Sequence, residues 1–301
     1  MSGVTLEKMQ TKTGDGADTP RVIRLGDLLA EWEEDANAAH EAYKSGKVRG
    51  PVTNLPTLDR ELGGALSPGL HVVHGNPGSG NSAFVLQVAS SCGCPALYVT
   101  CEMAPLELFR RLTARITNTY LGRLKTGELL PEQSLALARR AVEAAPHLAF
   151  GDATRVFASP DWIASIARAI KGEQRFVLVV VDSVHSWAQA ANGDMTEYDA
   201  LNAALGSLRN IAATLGCPIL AVAERNRASM KTGGMSASAG TRKFEYQGES
   251  VFDLQREDSD REDANGEFTI GLVIAKNRNG AAGRKIGLCF HGALQRLREV
   301  G

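Results

Sequence analysis

Residues 71–91 read H-V-V-H-G-N-P-G-S-G-N-S-A-F-V-L-Q-V-A-S-S: a short apolar strand, a Gly-rich turn and a helix-forming run. Inside it, Gly75, Asn76, Pro77, Gly78, Ser79, Gly80, Asn81 and Ser82 fit the phosphate-cradling pattern G-x-x-x-x-G-K-[S/T] at every fixed position except one, because Asn81 stands where the pattern has lysine. Gly75, Gly78 and Gly80 let backbone N–H groups converge on a polyphosphate at a helix N-terminus, and Ser82 offers a hydroxyl to Mg²⁺. What is missing is the cation that reaches the β- and γ-phosphates. The same eight residues also describe a Gly/Ser turn that binds nothing. The strand and helix on either side are what favour the cradle.

Beyond this turn apolar runs alternate with helical ones. Ala96 to Cys101, Val177 to Asp182 and Pro218 to Ala223 read as buried strands, with helices starting at Pro105, Pro131, Ser159 and Tyr198. Continuous Val/Ile/Leu strands separated by helices predict an α/β fold, a P-loop NTPase core whose mainly parallel sheet is covered on both faces. After residue 245 the pattern changes to E-F-T-I-G-L-V-I-A-K and R-K-I-G-L-C-F, which predicts an antiparallel C-terminal extension of the sheet. Upstream, residues 1–21 read as a disordered tail and 22–50 as an N-terminal helical linker, leaving 51–301 for the core. The linker helix, Val22 to about Lys44, ends at Ser45-Gly46, and its apolar positions need a surface to cover.

Composition sets the class. The 301 residues are 44% hydrophobic and 22% charged, enough to bury a large core, and the net charge of −1 gives no global pull toward nucleic acid or membrane. Five cysteines form neither a disulfide framework nor a zinc pattern: Cys92 and Cys94 make one C-x-C, while Cys101, Cys217 and Cys289 stand alone, so reduced, buried thiols in a cytoplasmic protein are expected. No apolar run approaches membrane-spanning length.

Two carboxylates fall where a P-loop site needs them. Asp182 ends V-L-V-V-V-D and is the expected Mg²⁺ partner, although a helix N-cap explains an Asp there equally well. Glu102 follows the strand A-L-Y-V-T-C; it is placed either to take a proton from an attacking water or to favour the first turn of a helix. A third feature is the stretch from Arg225 to Lys243. It holds five basic residues (Arg225, Arg227, Lys231, Arg242, Lys243), no acid and a Gly/Ser/Ala-rich centre, suited to sequence-independent contact with single-stranded DNA or, alternatively, a solvated loop. Trp187 and Tyr198 are the nearest aromatics for base stacking. H-S-W-A-Q-A-A-N-G-D-M-T-E-Y reads as a second loop.

Taken together, L-P-T-L-D-R-E-L-G-G, G-N-P-G-S-G-N-S, C-E-M-A-P-L-E-L-F-R-R-L, V-V-V-D-S-V, A-V-A-E-R-N-R and A-K-N-R-N-G-A-A-G-R-K-I-G-L-C-F, in that order, resemble the RecA-type ATPase motor domain of DnaB-like replicative helicases. The RadA branch is similar more distantly. The resemblance spans about residues 50 to 298. It implies a homo-oligomeric ring, usually a hexamer, with ATP and Mg²⁺ between subunits, single-stranded DNA in the centre, replication proteins as further partners, and hydrolase activity in DNA replication. It also implies roles: Glu102 orients water, Asp182 serves the metal, Lys276 and Arg278 reach into the neighbouring subunit's site, and Glu224 stands where a polar γ-phosphate sensor is usual. Glu224 and Asn81 depart from the family pattern. Asn81 then reflects a degenerate site, compensation elsewhere, or a deliberate replacement, and impaired hydrolysis is expected.

Only about fifty residues precede the core, which leads us to expect a phage, plasmid or accessory helicase-like protein without the N-terminal domain of a host helicase. Two other readings remain open from sequence. One is a nucleotide-binding scaffold or regulator that does not hydrolyse; the other is a RadA-like recombination or repair ATPase.

Overall fold

The computed structural model describes residues 22–191, 195–224, 246–256, 263 and 265–300. The expected tail, 1–21, lies outside the described residues. The chain divides into two compact units, Met1–Lys47 and Val48–Gly301. In the first, a 3₁₀ turn at Leu25–Leu28 runs into helix α1 (Leu29–Ser45), which stops where Gly46 adopts the left-handed conformation at φ 64°.

The second unit is built around one nine-stranded sheet. Its elements are α2 (Pro56–Glu61), β1 (Gly69–Gly75), α3 (Asn81–Ser91), β2 (Ala96–Thr100), α4 (Pro105–Thr117), α5 (Pro131–Ala144), β3 (Leu148–Asp152), α6 (Pro160–Lys171), β4 (Leu178–Asp182), α7 (Val184–Ala191), α8 (Glu197–Leu215), β5 (Pro218–Glu224), β6 (Ser250–Gln255), β7 (Glu267–Asn277), β8 (Lys285–His291) and β9 (Arg296–Glu299). The strand order is β3-β2-β4-β5-β1-β6-β7-β8-β9. Pairings from β3 through β6 are parallel and those from β6 through β9 antiparallel.

Local signals explain where the helices begin. Proline occupies the first helical position of α4, α5 and α6, where its missing N–H costs no hydrogen bond. Ser159 caps α6 by accepting from Trp162 N at 3.1 Å, and Thr196 caps α8 through Asp199 N at 3.2 Å. The central strands are buried on both sides. Along β4, Leu178 and Val180 pack into the core beneath α3 and α4, whereas Val179 and Val181 pack with Ile163, Trp187 and Leu205 of α6, α7 and α8. A run of four apolar residues is what burial on two faces requires, each fully buried Val or Leu contributing about 1.5–3 kcal/mol.

Several readings need correction. Three strands went unnamed in the sequence, β3, β6 and β9; the expected antiparallel extension is present, formed by β7, β8 and β9 beside β6, which itself pairs in parallel with β1. Asp253 breaks the apolar run of β6; it is buried beside His74, 3.5 Å from its Nδ1, so the strand carries an acid inside the core. The expected loop after Asp182 is largely helix α7. All five cysteines are free, but Cys101 and Cys289 are half-buried rather than buried. No helix of the described residues is long and apolar enough to cross a membrane.

Candidate nucleotide site

The parallel strands bring the chemistry to one edge. Register pairs Gly75 with Glu224, Thr100 with Asp182 and Asp182 with Val222, so the C-terminal ends of β1, β2, β4 and β5 lie side by side. That edge is where an α/β sheet binds ligands. Here a cleft of about 420 Å³ is lined by most of the P-loop, Gly75, Pro77, Gly78 and residues 80–83, together with Glu102, Arg111, Asp182, Phe290 and Gln295.

The turn between β1 and α3 has the shape the spacing demands. Gly78 and Gly80 have φ of 84° and 91°, and Gly80 opens α3. At Gly75 a Cβ would come within 2.5 Å of both Leu254 O and Ser79 Oγ, so only glycine fits. Asn81, mostly buried, turns back into the loop. Its Nδ2 donates to Gly75 O at 3.4 Å and its Oδ1 accepts from Ser79 Oγ at 3.3 Å.

Asp182 is buried and receives two hydroxyl hydrogen bonds, from Tyr98 Oη at 2.5 Å and from Ser82. Burial raises its carboxyl above the ordinary range. The bonds from Tyr98 and Ser82 and the charge of Arg111 work against that rise, while Glu102 adds to it. The cap of α7 falls to Ser183, whose Oγ faces Ser186 N at 3.4 Å, so Asp182 is freed from the N-cap role. Glu102 lies in the turn before α4, whose first-turn acid is Glu107, and its Oε1 accepts hydrogen bonds from the hydroxyls of Ser183 and Ser186. The helix-dipole explanation for Glu102 therefore drops out.

These residues fit a magnesium–triphosphate group. The cradle is open only to glycine, Ser82 and Asp182 are paired hard-oxygen donors, and Glu102 is held across the same cleft. Ser82 and Asp182 would hold the metal, which when bound would neutralise charge on the phosphates.

Other expected residues lie elsewhere. Lys276 on β7 is level with Val251 of β6 and Val72 of β1. Arg278 is lower still: its N donates to Glu249 O at 2.9 Å, and Glu249 N donates to Leu70 O. That puts Arg278 on the order of 16 Å along the strand direction from Gly75. Its guanidinium pairs with Glu249 at 3.1 Å. Neither basic residue lines its own chain's cleft. Glu224 ends β5 beside Gly75. The basic residues Arg225, Arg227, Lys231, Arg242 and Lys243 lie outside the described residues. Trp187 is not available for stacking, because it is buried with Nε1 donating to Ala158 O at 2.7 Å and its ring packed on Phe157; Tyr198 is exposed.

The sequence reading missed Tyr98, Ser183, Ser186, Arg111 and Gln295. Ser183 and Ser186 carried a usable signal, as hydroxyls one and four places after Asp182. The contact of Arg111 with Gln295 spans 184 positions and left none.

Residues 50–299 match the family DnaB-like helicase C terminal domain. The replicative DNA helicase DnaB of Geobacillus stearothermophilus is 24% identical over 276 residues, covering 86% of this chain and 58% of that protein. This chain thus spans less than two thirds of that relative. A DnaB-like replicative helicase, solved in a study of its interactions with primase, aligns with TM-score 0.74 at 18% identity over 98% of this chain and 70% of that one. The RadB recombinase aligns less closely, with TM-score 0.52 at 19% identity over 83% of this chain and 99% of that one. At such identities the structural likeness speaks to the fold.

Proposed function

The chain belongs to the DnaB-like helicase C-terminal domain family, and from that premise we propose that it is an ATP-binding motor module of a helicase or translocase acting on single-stranded DNA, with hydrolysis slowed by Asn81. The observation that carries this reading is the convergence in one cleft of the glycine cradle, the Ser82–Asp182 pair and Glu102 held by Ser183 and Ser186. Glu102 orients the attacking water and accepts its proton. Asp182 and Ser82 hold Mg²⁺ against the phosphates. Lys276 and Arg278, remote from their own cleft, serve the cleft of a neighbouring subunit in a homo-oligomeric ring, hexameric as is usual for such motors. Residues 22–50 form a linker and 51–301 the motor. Primase, a partner of the related helicase, and other replication proteins are candidate partners, and the module acts in the cytoplasm.

DNA contact runs through Arg225 to Lys243. Because phosphate neutralisation releases counterions, binding to a single-stranded homopolymer weakens with salt at a logarithmic slope of about −0.7 per contact. A salt titration tests the reading. Replacing Arg242 and Lys243 with Ala lowers both affinity and slope if this segment is the DNA path. An unchanged slope places the path elsewhere, and no binding at low salt with Mg²⁺ and an ATP analogue favours a nucleotide-binding scaffold.

A further inference from the structure

Cys92, Gly93 and Cys94 form the turn from α3 into β2, at the end of α3 opposite the P-loop. The 11 residues of that helix set the turn on the order of 16 Å from the cradle, outside the cleft. The nucleotide chemistry uses neither thiol. Gly93 takes the left-handed conformation at φ 80°, and across the turn the two sulfurs lie 3.6 Å apart. That is van der Waals contact, and a shift of about 1.5 Å separates it from an S–S bond.

A third group joins them. Ala96 N donates to His147 O at 3.0 Å, which ties the residue before β3 alongside the turn, and the His147 imidazole stands beside Cys92. The hydrogen bond from Cys94, and after it the one with His147, pull the Cys92 thiol down against the rise that burial alone would give. Cys94, the donor to that sulfur, is pushed up instead, with Cys217 before β5 adding a little, and His147 is raised by Cys92. The proton therefore leaves Cys92 first and stays on Cys94. Thiols packed only as small apolar side chains have no base at one of them. Access is narrow, because Cys92 is buried and Cys94 is 9% exposed, yet a Cβ on Gly93 would meet nothing within 4 Å. Such an opening admits a water-sized reagent before a bulky one.

We propose that Cys92 and Cys94, served by His147, are a peroxide-reactive dithiol that closes to an intramolecular disulfide. The Cys92 thiolate attacks one oxygen of hydrogen peroxide: an S–O bond forms, the O–O bond breaks, and the departing hydroxide takes the proton held on His147 to become water. The Cys94 thiol then attacks the sulfenic sulfur of Cys92. The S–S bond forms, the S–O bond breaks, and the hydroxide leaves as water with the Cys94 proton. Two thiols are oxidised to one disulfide while one peroxide is reduced to two waters.

The test treats the full chain with hydrogen peroxide, in the absence of nucleotide, and maps its cysteines by peptide mass spectrometry over time. One disulfide, Cys92 to Cys94, forms and is reversed by dithiothreitol; the same concentration of glutathione disulfide forms it about tenfold more slowly or less. Because the thiolate is the reacting form, the parent rate changes by less than about twofold between pH 6 and 8, where an ordinary thiol of pKa about 8.5 speeds up by nearly a hundredfold. Cys94→Ser stops at a Cys92 sulfenic acid that dimedone traps. His147→Asn restores a steep pH profile and slows the reaction at pH 7 by about tenfold. Urea unfolding shows which variants keep the fold, and the parent profile needs no variant. The proposal is overturned by the absence of a disulfide, by a Cys94–Cys217 disulfide, or by oxidation of Cys92 no faster than that of half-buried Cys289. A parent rate that climbs tenfold per pH unit, an equal rate with glutathione disulfide, or an unchanged profile in folded His147→Asn also overturns it.

Discussion

Tyr98 Oη donates to Asp182 Oδ2 at 2.5 Å between neighbouring strands β2 and β4, with both side chains buried. This contact holds the carboxylate proposed as the metal's partner while position 81 of the cleft carries no cation. Burial of the carboxylate, which the contact only partly offsets, makes Asp182 a liability to the fold. Its folded carboxyl is raised above the ordinary value of 3.8, so the stability it contributes is full below that value and is lost as pH rises through the higher folded one. Asp182→Asn, which can still accept from Tyr98, is expected to raise the Tm by a few degrees at neutral pH in Mg²⁺-free buffer, with the difference fading below about pH 4. On the proposed reading Mg·ATP is expected to stabilise the parent chain further, and the same variant to lose that gain. Scanning calorimetry with and without nucleotide reads both effects.

His71, on β1 below the P-loop, gives the opposite pH dependence. Its Nε2–H donates to Ser67 O at 2.7 Å and its Nδ1 accepts from Ser250 Oγ at 2.6 Å, which fixes a neutral ring. Burial lowers it to about 4 from the ordinary 6.5. The unfolded chain therefore takes up the proton first, and stability present above pH 6.5 is lost as pH falls toward 4, by about 3 kcal/mol in all. Urea midpoints measured across that window should fall less steeply in His71→Asn than in the parent chain.

Glu102→Gln is expected to leave Mg·ATP affinity within about twofold and to lower single-turnover hydrolysis by about 10²–10⁴-fold, the span typical of a general base. Ser186→Ala, which frees one side of the carboxylate, should lower the rate by about tenfold without weakening binding. Quenched-flow measurements in an Asn81→Lys background separate the two steps. Equal losses in binding and rate would mean that Glu102 only shapes the cleft.

Arg278 pairs with Glu249 on its own chain and sits far from its own P-loop. Subunits carrying Arg278→Ala, inactive alone, should regain part of their hydrolysis when mixed with Glu102→Gln subunits, because some interfaces then join an intact Glu102 to an intact Arg278. The readout is ATPase against mixing ratio. No rescue, with a monomeric mass at every concentration, would count against shared sites.

Much of this arrangement was legible in the chain because it is written in short, local patterns. The strand-turn-helix around Gly75 to Ser82, the apolar run ending in Asp182 and Glu102 after β2 all declare themselves within ten residues. β6 did not, since the buried Asp253 interrupts its apolar run and is understood only beside His74 of β1. Tyr98 read as one more apolar residue of a strand; its partner is 84 positions away. Arg110 and Arg111 adjoin in the chain without distinction, and only the return of the chain at Gln295 separates the cleft residue from its neighbour. Trp187 misled for the complementary reason, because an aromatic near a polar stretch looks available until α7 is seen to pack it on Phe157.

The most direct test of the account is steady-state ATP hydrolysis by the Asn81 chain beside Asn81→Lys, each with and without a single-stranded homopolymer. The account predicts slow turnover in the Asn81 chain, a rise of about tenfold or more on Asn81→Lys, stimulation of both by the DNA, and loss of both on Glu102→Gln. No gain from the restored lysine, together with no loss from Glu102→Gln, would contradict it.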